Sequence, residues 1–286
     1  MTDTSSPLVQ VRNLRVAFPS DHGWQEAVRG VSFDLGREKL GIVGESGSGK
    51  SLTGRSIMRL LPSSACATAD RLSFHDIDLL HAPERTMVHV RGRRIGLIMQ
   101  DPKYSLNPVV TVGEQIAEAF RLHHGGKGAK AKAIEMLTAV RLREPERVYK
   151  LYPHEVSGGM GQRIMIAMML VSGPEVLIAD EPTSALDVTV RMEVLQLLDG
   201  LVKARGLGLI FISHDLNLVR RFCDRVLIMY AGRVLEELPA SELDRAQHPY
   251  TKGLLASLPR IHDRRERLAV LRREESWRQA EPEAVS

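Results

Sequence analysis

The run Gly44-Glu45-Ser46-Gly47-Ser48-Gly49-Lys50-Ser51-Leu52 contains the pattern G-x-x-x-x-G-K-S. Glycines at those places let successive backbone N–H groups converge on an anion, and a helix starting behind them adds the positive end of its dipole. Lys50 can then neutralise β- and γ-phosphate oxygens while the Ser51 hydroxyl ligates Mg²⁺, so the chemistry on offer is the binding of a nucleoside triphosphate. Far along the chain, Val176-Leu177-Ile178-Ala179-Asp180-Glu181-Pro182 is an apolar run that ends in two adjacent carboxylates. Neighbouring residues on an extended strand point in different directions. That geometry lets Asp180 serve the metal shell while Glu181 faces an attacking water as general base. Between these runs, Ser157-Gly158-Gly159-Met160 precedes an apolar helical pattern. It reads either as a flexible turn or as a second anion site built from exposed N–H groups at a helix start.

These groups need strands and helices behind them. Val9 and Val11, then Leu14, Val16 and Phe18, predict two short strands broken near Asn13, and Val31, Phe33 and Leu35 alternate as a third. The opening therefore reads as an antiparallel β lobe. Leu40 to Gly44 is a strand entering the phosphate loop, and a helical pattern through Ile57, Leu60 and Leu61 follows, ended by Pro62. Apolar runs at Ile95 to Met99, Val176 to Ala179, Leu207 to Ile212 and Val226 to Met229 read as buried strands of a mostly parallel sheet. The stretch from Gln100 to about Ile164 instead carries helical periodicity at Val112 to Leu122 and Ala129 to Val140, with a glycine break at Gly125-Gly126-Lys127-Gly128. The expected organisation is an α/β nucleotide-binding core with its β lobe over 1–100 and 165–247, an inserted helical subdomain over 101–164, and a C-terminal tail over 248–286. In that tail Arg260, Arg264, Arg265, Arg267, Arg272 and Arg273 lie along a polar helical pattern, read as a solvated face or as a contact for anionic lipid or a partner.

The order of phosphate loop, glutamine at a strand end, Ser-Gly-Gly helix, Asp-Glu strand and final histidine resembles the ATPases of ABC transporters. Ser157, Gly158, Gly159 and Met160 match that family's signature sequence. The resemblance implies an α/β P-loop ABC ATPase fold with an inserted helical subdomain. It also implies a head-to-tail dimer with the same chain or a paralogue, each ATP held between one chain's Lys50 loop and the other's Ser157 helix. Residue by residue it implies that Gln100 contacts Mg²⁺ and the water and senses the transmembrane partner, that Asp187 in Ser184-Ala185-Leu186-Asp187 lies at the dimer interface, and that His214 reaches the γ-phosphate. Asp187 equally suits a cap for the helix that follows. Phe18 stands where the family places an aromatic ring on adenine, with Trp24 as a rival.

Met99-Gln100-Asp101-Pro102-Lys103-Tyr104-Ser105-Leu106-Asn107-Pro108, Tyr152-Pro153-His154-Glu155 and His248 to Pro259 resemble the ATPases of bacterial peptide and nickel importers. That resemblance covers roughly residues 8 to 260. It implies ATP hydrolysis coupled to uptake of a peptide, nickel or similar solute through separate permease subunits, served indirectly by an extracytoplasmic binding protein, with this chain peripheral at the cytoplasmic face of the plasma membrane. Gly161 departs from it, standing where relatives carry arginine or glutamine, and so does a tail without the cysteine cluster of many of them, which argues against an iron–sulfur cluster.

Composition limits the alternatives. The chain has 286 residues, 43% hydrophobic and 26% charged, with a net charge of +4, ordinary for a globular chain with one large core or two modest ones. Its longest apolar stretch, Ile164 to Val171, falls far short of the ~20 residues that cross a bilayer. The first residues lack the basic and apolar regions of a secretory signal, so a cytoplasmic location is expected. Cys66 and Cys223 show no ligand spacing and read as reduced thiols. Two other classes share the ATP site. ATPases acting on nucleic acid or the ribosome usually carry two cassettes or a long coiled-coil insertion, and this chain shows neither, so no nucleic-acid partner is expected. A non-hydrolysing regulatory subunit would have a degenerate site, whereas Lys50, Asp180, Glu181 and His214 are all in place.

Overall fold

The computed structural model describes residues 6–21, 23–258 and Trp277. Pro259 and the arginine-rich part of the tail lie outside the described residues. The chain forms two compact units, one from residues up to Ala82 together with those from Ile210 onward, the other from Pro83–Leu209.

The first stretch opens with β1 (Val9–Ser20) and β2 (Gly23–Leu35), paired antiparallel from Val9↔Leu35 to Ser20↔Gly23. Where two strands are expected there is one. At Asn13 the backbone turns left-handed with φ 49°, and the register slips between Val11 and Leu14. This bulge shifts the alternation by one residue without ending the strand, which is why Val9, Val11, Leu14 and Val16 are all fully buried. β3 (Lys39–Gly44) leads through the glycine-rich loop into α1 (Lys50–Ile57). That helix stops short of the expected Leu61 because Arg59 adopts φ 50°. Arg59 N–H returns to Ser56 O and Leu60 N–H to Arg55 O, closing a Schellman motif. β4 (Cys66–Thr68), β5 (Arg71–Phe74) and β6 (Ile77–Asp78) complete the antiparallel lobe, β4 and β5 pairing with β1 and β6 with β5. These short strands gave no alternation long enough to read in sequence.

The second unit begins with α2 (Glu84–Val90) and β7 (Ile95–Ile98), then α3 (Pro102–Ser105), α4 (Val112–His124), α5 (Ala129–Ala139), α6 (Pro145–Tyr149) and α7 (Gly158–Leu170). Helices α4, α5, α6 and α7 pack on one another around Ile116, Ala133, Met136, Leu137 and Ile164. β8 (Val176–Asp180) pairs parallel with β7, Ile95↔Val176 to Ile98↔Ala179. α8 (Val188–Arg205) follows and ends on Gly206 at φ 60°, the left-handed residue that glycine supplies without strain.

The chain returns to the first unit within β9 (Gly208–Ser213), then forms α9 (Leu216–Phe222), β10 (Arg225–Tyr230), β11 (Arg233–Pro239) and α10 (Pro249–Ser257). β3 lies between β10 and β9, parallel to β10 from Leu40↔Arg225 to Gly44↔Met229, while β11 pairs antiparallel on the outer side of β10. Ile42, Val226, Leu227, Ile228, Ile210 and Ile212 are fully buried, as unbroken apolar runs require of strands covered on both faces. Trp277 packs on Tyr230, His248 and Tyr250, with ring centroids 6.2, 5.8 and 5.9 Å away. Cys66 is exposed, Cys223 is buried, and both are free thiols. Among the described residues no helix is long and apolar enough to cross a membrane.

Candidate functional site

β3 delivers the phosphate loop through a backbone that only glycine allows. A Cβ on Gly44 would lie 2.1 Å from Met229 O, and one on Gly49, at φ +95°, would lie 2.8 Å from Ala27 O. Gly47 is also left-handed at φ +78°. The loop thus hugs β10 and β2 with its N–H groups at the start of α1. Lys50 is only 5% exposed, and its ammonium folds back to donate to Gly44 O at 2.9 Å and Glu45 O at 2.7 Å. The Ser48 hydroxyl is buried with no hydrogen-bond partner among the described residues. An unsatisfied buried donor costs roughly 1–3 kcal/mol, and a phosphate oxygen would relieve it.

Beside the loop lies a cleft of about 560 Å³, lined by Glu45–Ser48 on one side and by Phe18, Ala27, Arg29 and Tyr230 on others. Phe18 therefore shares a cleft with the phosphate loop. Trp24 is not among the lining residues and is 62% exposed. Gln25, Glu26, Arg29, Tyr230 and Ala231 also line the cleft, and sequence reasoning passed over them. The period of β2 puts Gln25, Ala27 and Arg29 on one face, but which face meets Phe18 depends on the β1–β2 register. His214 directly follows β9, the neighbour of β3, and is exposed. The residue after it is fixed: Asp215 N–H donates to Ser213 Oγ at 3.0 Å, and the Asp215 carboxylate caps α9 by accepting from Leu218 N–H at 3.0 Å.

In the second unit, β7 and β8 run parallel and in register, so Gln100 and Glu181 emerge from the same end of the pair. Gln100 Nε2 donates to Glu181 Oε2 at 3.4 Å. Asp180 is 7% exposed, closing the strand from inside. Glu181 is not extended, as the strand argument supposed, but left-handed at φ 47°. That conformation costs roughly 1–2 kcal/mol in a non-glycine residue, and strain of this kind gathers at functional sites. Ser184 N–H and Oγ both return to Glu181 O at 3.2 Å, holding the bend.

The Ser157-Gly158-Gly159 turn lies against the segment after Glu181. Ser157 Oγ caps α7 by accepting from Met160 N–H at 3.3 Å. A Cβ on Gly159 would sit 2.5 Å from Val190 Cγ1, and one on Gly158 would sit 3.7 Å from Leu186. Asp187 Oδ1 caps α8, accepting from Thr189 N–H at 3.1 Å and Val190 N–H at 3.0 Å. Gly161 does not interrupt α7, which runs on to Leu170. It is buried against Pro102, whose Cβ and Cγ lie 3.5 Å from where its own Cβ would be.

Within the second unit, Asp180 ends β8 and Gln100 lies just past the end of its neighbour β7, and in the first Ser51 lies in the first turn of α1. Each carries an oxygen of the kind a hard cation such as Mg²⁺ takes. Among the described residues no group of three or more His, Cys, Asp or Glu could hold a metal. Few protein ligands suit Mg²⁺, which fills its shell with water and phosphate oxygens.

A family model described as ABC transporter matches residues 28–184, more than half of the chain. A probable peptide ABC transporter ATP-binding protein of Sinorhizobium fredii is 49% identical over 257 residues, 88% of this chain and 77% of the relative. The dipeptide transport ATP-binding protein DppD of Bacillus subtilis is 46% identical over 259 residues, 89% of this chain and 77% of the relative. The fold is that of a solved ABC cassette, MJ0796, in a dimeric post-hydrolysis state bound to ADP and Pi. That structure aligns with a TM-score of 0.69 and 27% identity, over 81% of this chain and 98% of its own. Identity on this scale extends far beyond the phosphate loop that many unrelated NTPases share, and it takes in both compact units: the chain belongs to the ABC transporter family as one of its ATP-binding cassettes.

Proposed function

We propose that this chain is the ATP-hydrolysing subunit of a peptide importer, peripheral at the cytoplasmic face of the plasma membrane and working as a cassette dimer beneath separate permease subunits. The observation that carries hydrolysis, beyond binding, is Glu181: a carboxylate held in a strained left-handed bend at the end of β8 and hydrogen-bonded by Gln100.

Each residue has a separate task. Backbone N–H groups of Gly44 to Ser51, with Leu52 behind them on α1, hold the phosphates. Lys50 exchanges its loop carbonyls for β- and γ-phosphate oxygens, and Ser48 donates its idle hydroxyl. Phe18 supports the adenine. Glu181 takes the proton from the attacking water, Gln100 orients that carboxylate, and His214 steadies the γ-phosphate. Ser51, Asp180 and Gln100 would hold Mg²⁺, which neutralises charge on the phosphates when bound. Ser157 to Met160 and Asp187 face a second cassette, the same chain or a paralogue. ATP draws the two together, hydrolysis releases them, and the differential affinity for closed and open states drives the permease.

Peptide as solute is supported by the names of the relatives and by the matching segments at Met99–Pro108, Tyr152–Glu155 and from His248 onward. Purified protein should release phosphate from Mg-ATP and co-purify with integral membrane subunits, and a strain lacking it should lose uptake of short peptides. No hydrolysis together with no membrane co-purification would remove the reading.

A further inference from the structure

The cleft beside the phosphate loop has a cation in its wall that is distinct from Lys50 of the loop. Arg29 lines the cleft with Phe18 and the phosphate loop, and main-chain bonds fix where along the cleft it stands. Arg29 N–H donates to Gly232 O at 2.7 Å, and Gly232 N–H donates to Ser48 O at 3.1 Å. A single residue therefore separates Arg29 from the loop. Gly232 is left-handed at φ +86°, and a Cβ on it would lie 3.1 Å from Arg29 Cγ, so the arginine stem passes over the glycine that touches the loop. The aromatic end of the cleft is more distant: Phe18 pairs with Gln25, four residues from Arg29 and roughly 13 Å away at about 3.3 Å per residue.

The guanidinium is anchored at one corner, where Nε donates to Glu26 O at 3.1 Å. Among the described residues its two terminal nitrogens make no hydrogen bond or ion pair. The nearby Glu26 carboxylate is engaged by Arg15 at 3.1 Å. A planar, always-charged fork held at one edge, with its other donors unspent beside a phosphate loop, is built to take phosphate oxygens.

We infer that Arg29 is a second phosphate-binding cation of this cassette, its terminal N–H groups engaging non-bridging oxygens of the nucleotide on the Ser48 side of the phosphate chain. The assignment rests on the nucleotide reading above and adds a binding residue to it.

Dissociation constants for Mg-ATP are measured by calorimetry on the wild-type chain, Arg29→Gln and Arg29→Lys, at two salt concentrations, alongside steady-state ATPase kinetics and unfolding midpoints. Arg29→Gln should weaken ATP binding about tenfold, the loss expected of a charge-assisted hydrogen bond, and flatten the salt dependence of affinity. KM should rise in proportion, with kcat falling less than about twofold, and Arg29→Lys should recover most of the loss. Wild-type affinity in Arg29→Gln overturns the assignment, as does an equal loss in both variants with a lowered unfolding midpoint, which marks a packing role. A wild-type chain that fails to bind Mg-ATP at all sinks the nucleotide reading itself, an outcome distinct from the other two.

Discussion

Gln100 and Glu181 leave two parallel neighbouring strands at the same end and meet across 3.4 Å, amide nitrogen to carboxylate oxygen. Gln100 is exposed and leads into Asp101-Pro102, and Pro102 lies over Gly161 of the signature helix. A displacement of that segment therefore reaches the candidate base through one hydrogen bond, long enough to break at little cost.

Glu181→Gln keeps the shape and the neighbour but cannot accept a proton. Turnover should fall by roughly 10²–10⁴-fold, the usual share of a general base, while ATP binding persists. Phosphate release measured beside equilibrium nucleotide binding checks this, and hydrolysis within tenfold of wild type would take Glu181 out of its role.

Phe18 lines the cleft and Trp24 does not. Stacking on a base is worth about 1–3 kcal/mol by alanine substitution, so Phe18→Ala should raise KM for ATP at least about fivefold and Trp24→Ala should leave it unaltered. The two KM values, measured side by side, decide between the rings.

Gly159 admits no side chain because Val190 Cγ1 would lie 2.5 Å from its Cβ. Gly159→Ala should destabilise the fold by roughly 1–3 kcal/mol through overpacking. Val190→Ala in the same chain should return part of that loss, and a double-mutant cycle in urea measures the coupling. Additive effects would show that the contact is not what excludes the side chain.

His123 is half-buried beside Gly92. Burial first, then the positive neighbours His124, Arg93 and His89, lower its pKa below the ordinary 6.5. The folded chain therefore resists a proton that the unfolded chain accepts, and stability should decline as pH falls below about 6.5. His123→Gln removes this term, so the drop in unfolding midpoint between neutral and mildly acid pH should be shallower in the variant.

The strands that carry the chemistry were legible in the sequence because apolar runs such as Leu40 to Val43 and Val176 to Ala179 are buried on both faces and end at the reactive residues. Asp187 was legible as a cap because its side chain acts on the two N–H groups just after it. Less was visible where the determinant lies far away in the chain. The bulge at Asn13 looked like a strand end, since a one-residue slip and a break give the same pattern of hydrophobic residues. The stop of α1 at Ile57 depends on the left-handed Arg59, a residue type that rarely announces such a turn. Arg29 shows its place only once Gly232, some two hundred positions on, is folded against it.

The two thiols differ in a way an experimenter can use. Burial drives the Cys223 thiol far above its ordinary range and away from solvent, where it is inert to alkylating reagents. Cys66 is exposed on β4, opposite Ala17 and therefore one place along β1 from Phe18. A maleimide dye added to the unaltered protein would settle at Cys66 alone, giving a fluorescent reporter on the β lobe that carries Phe18 without a single mutation.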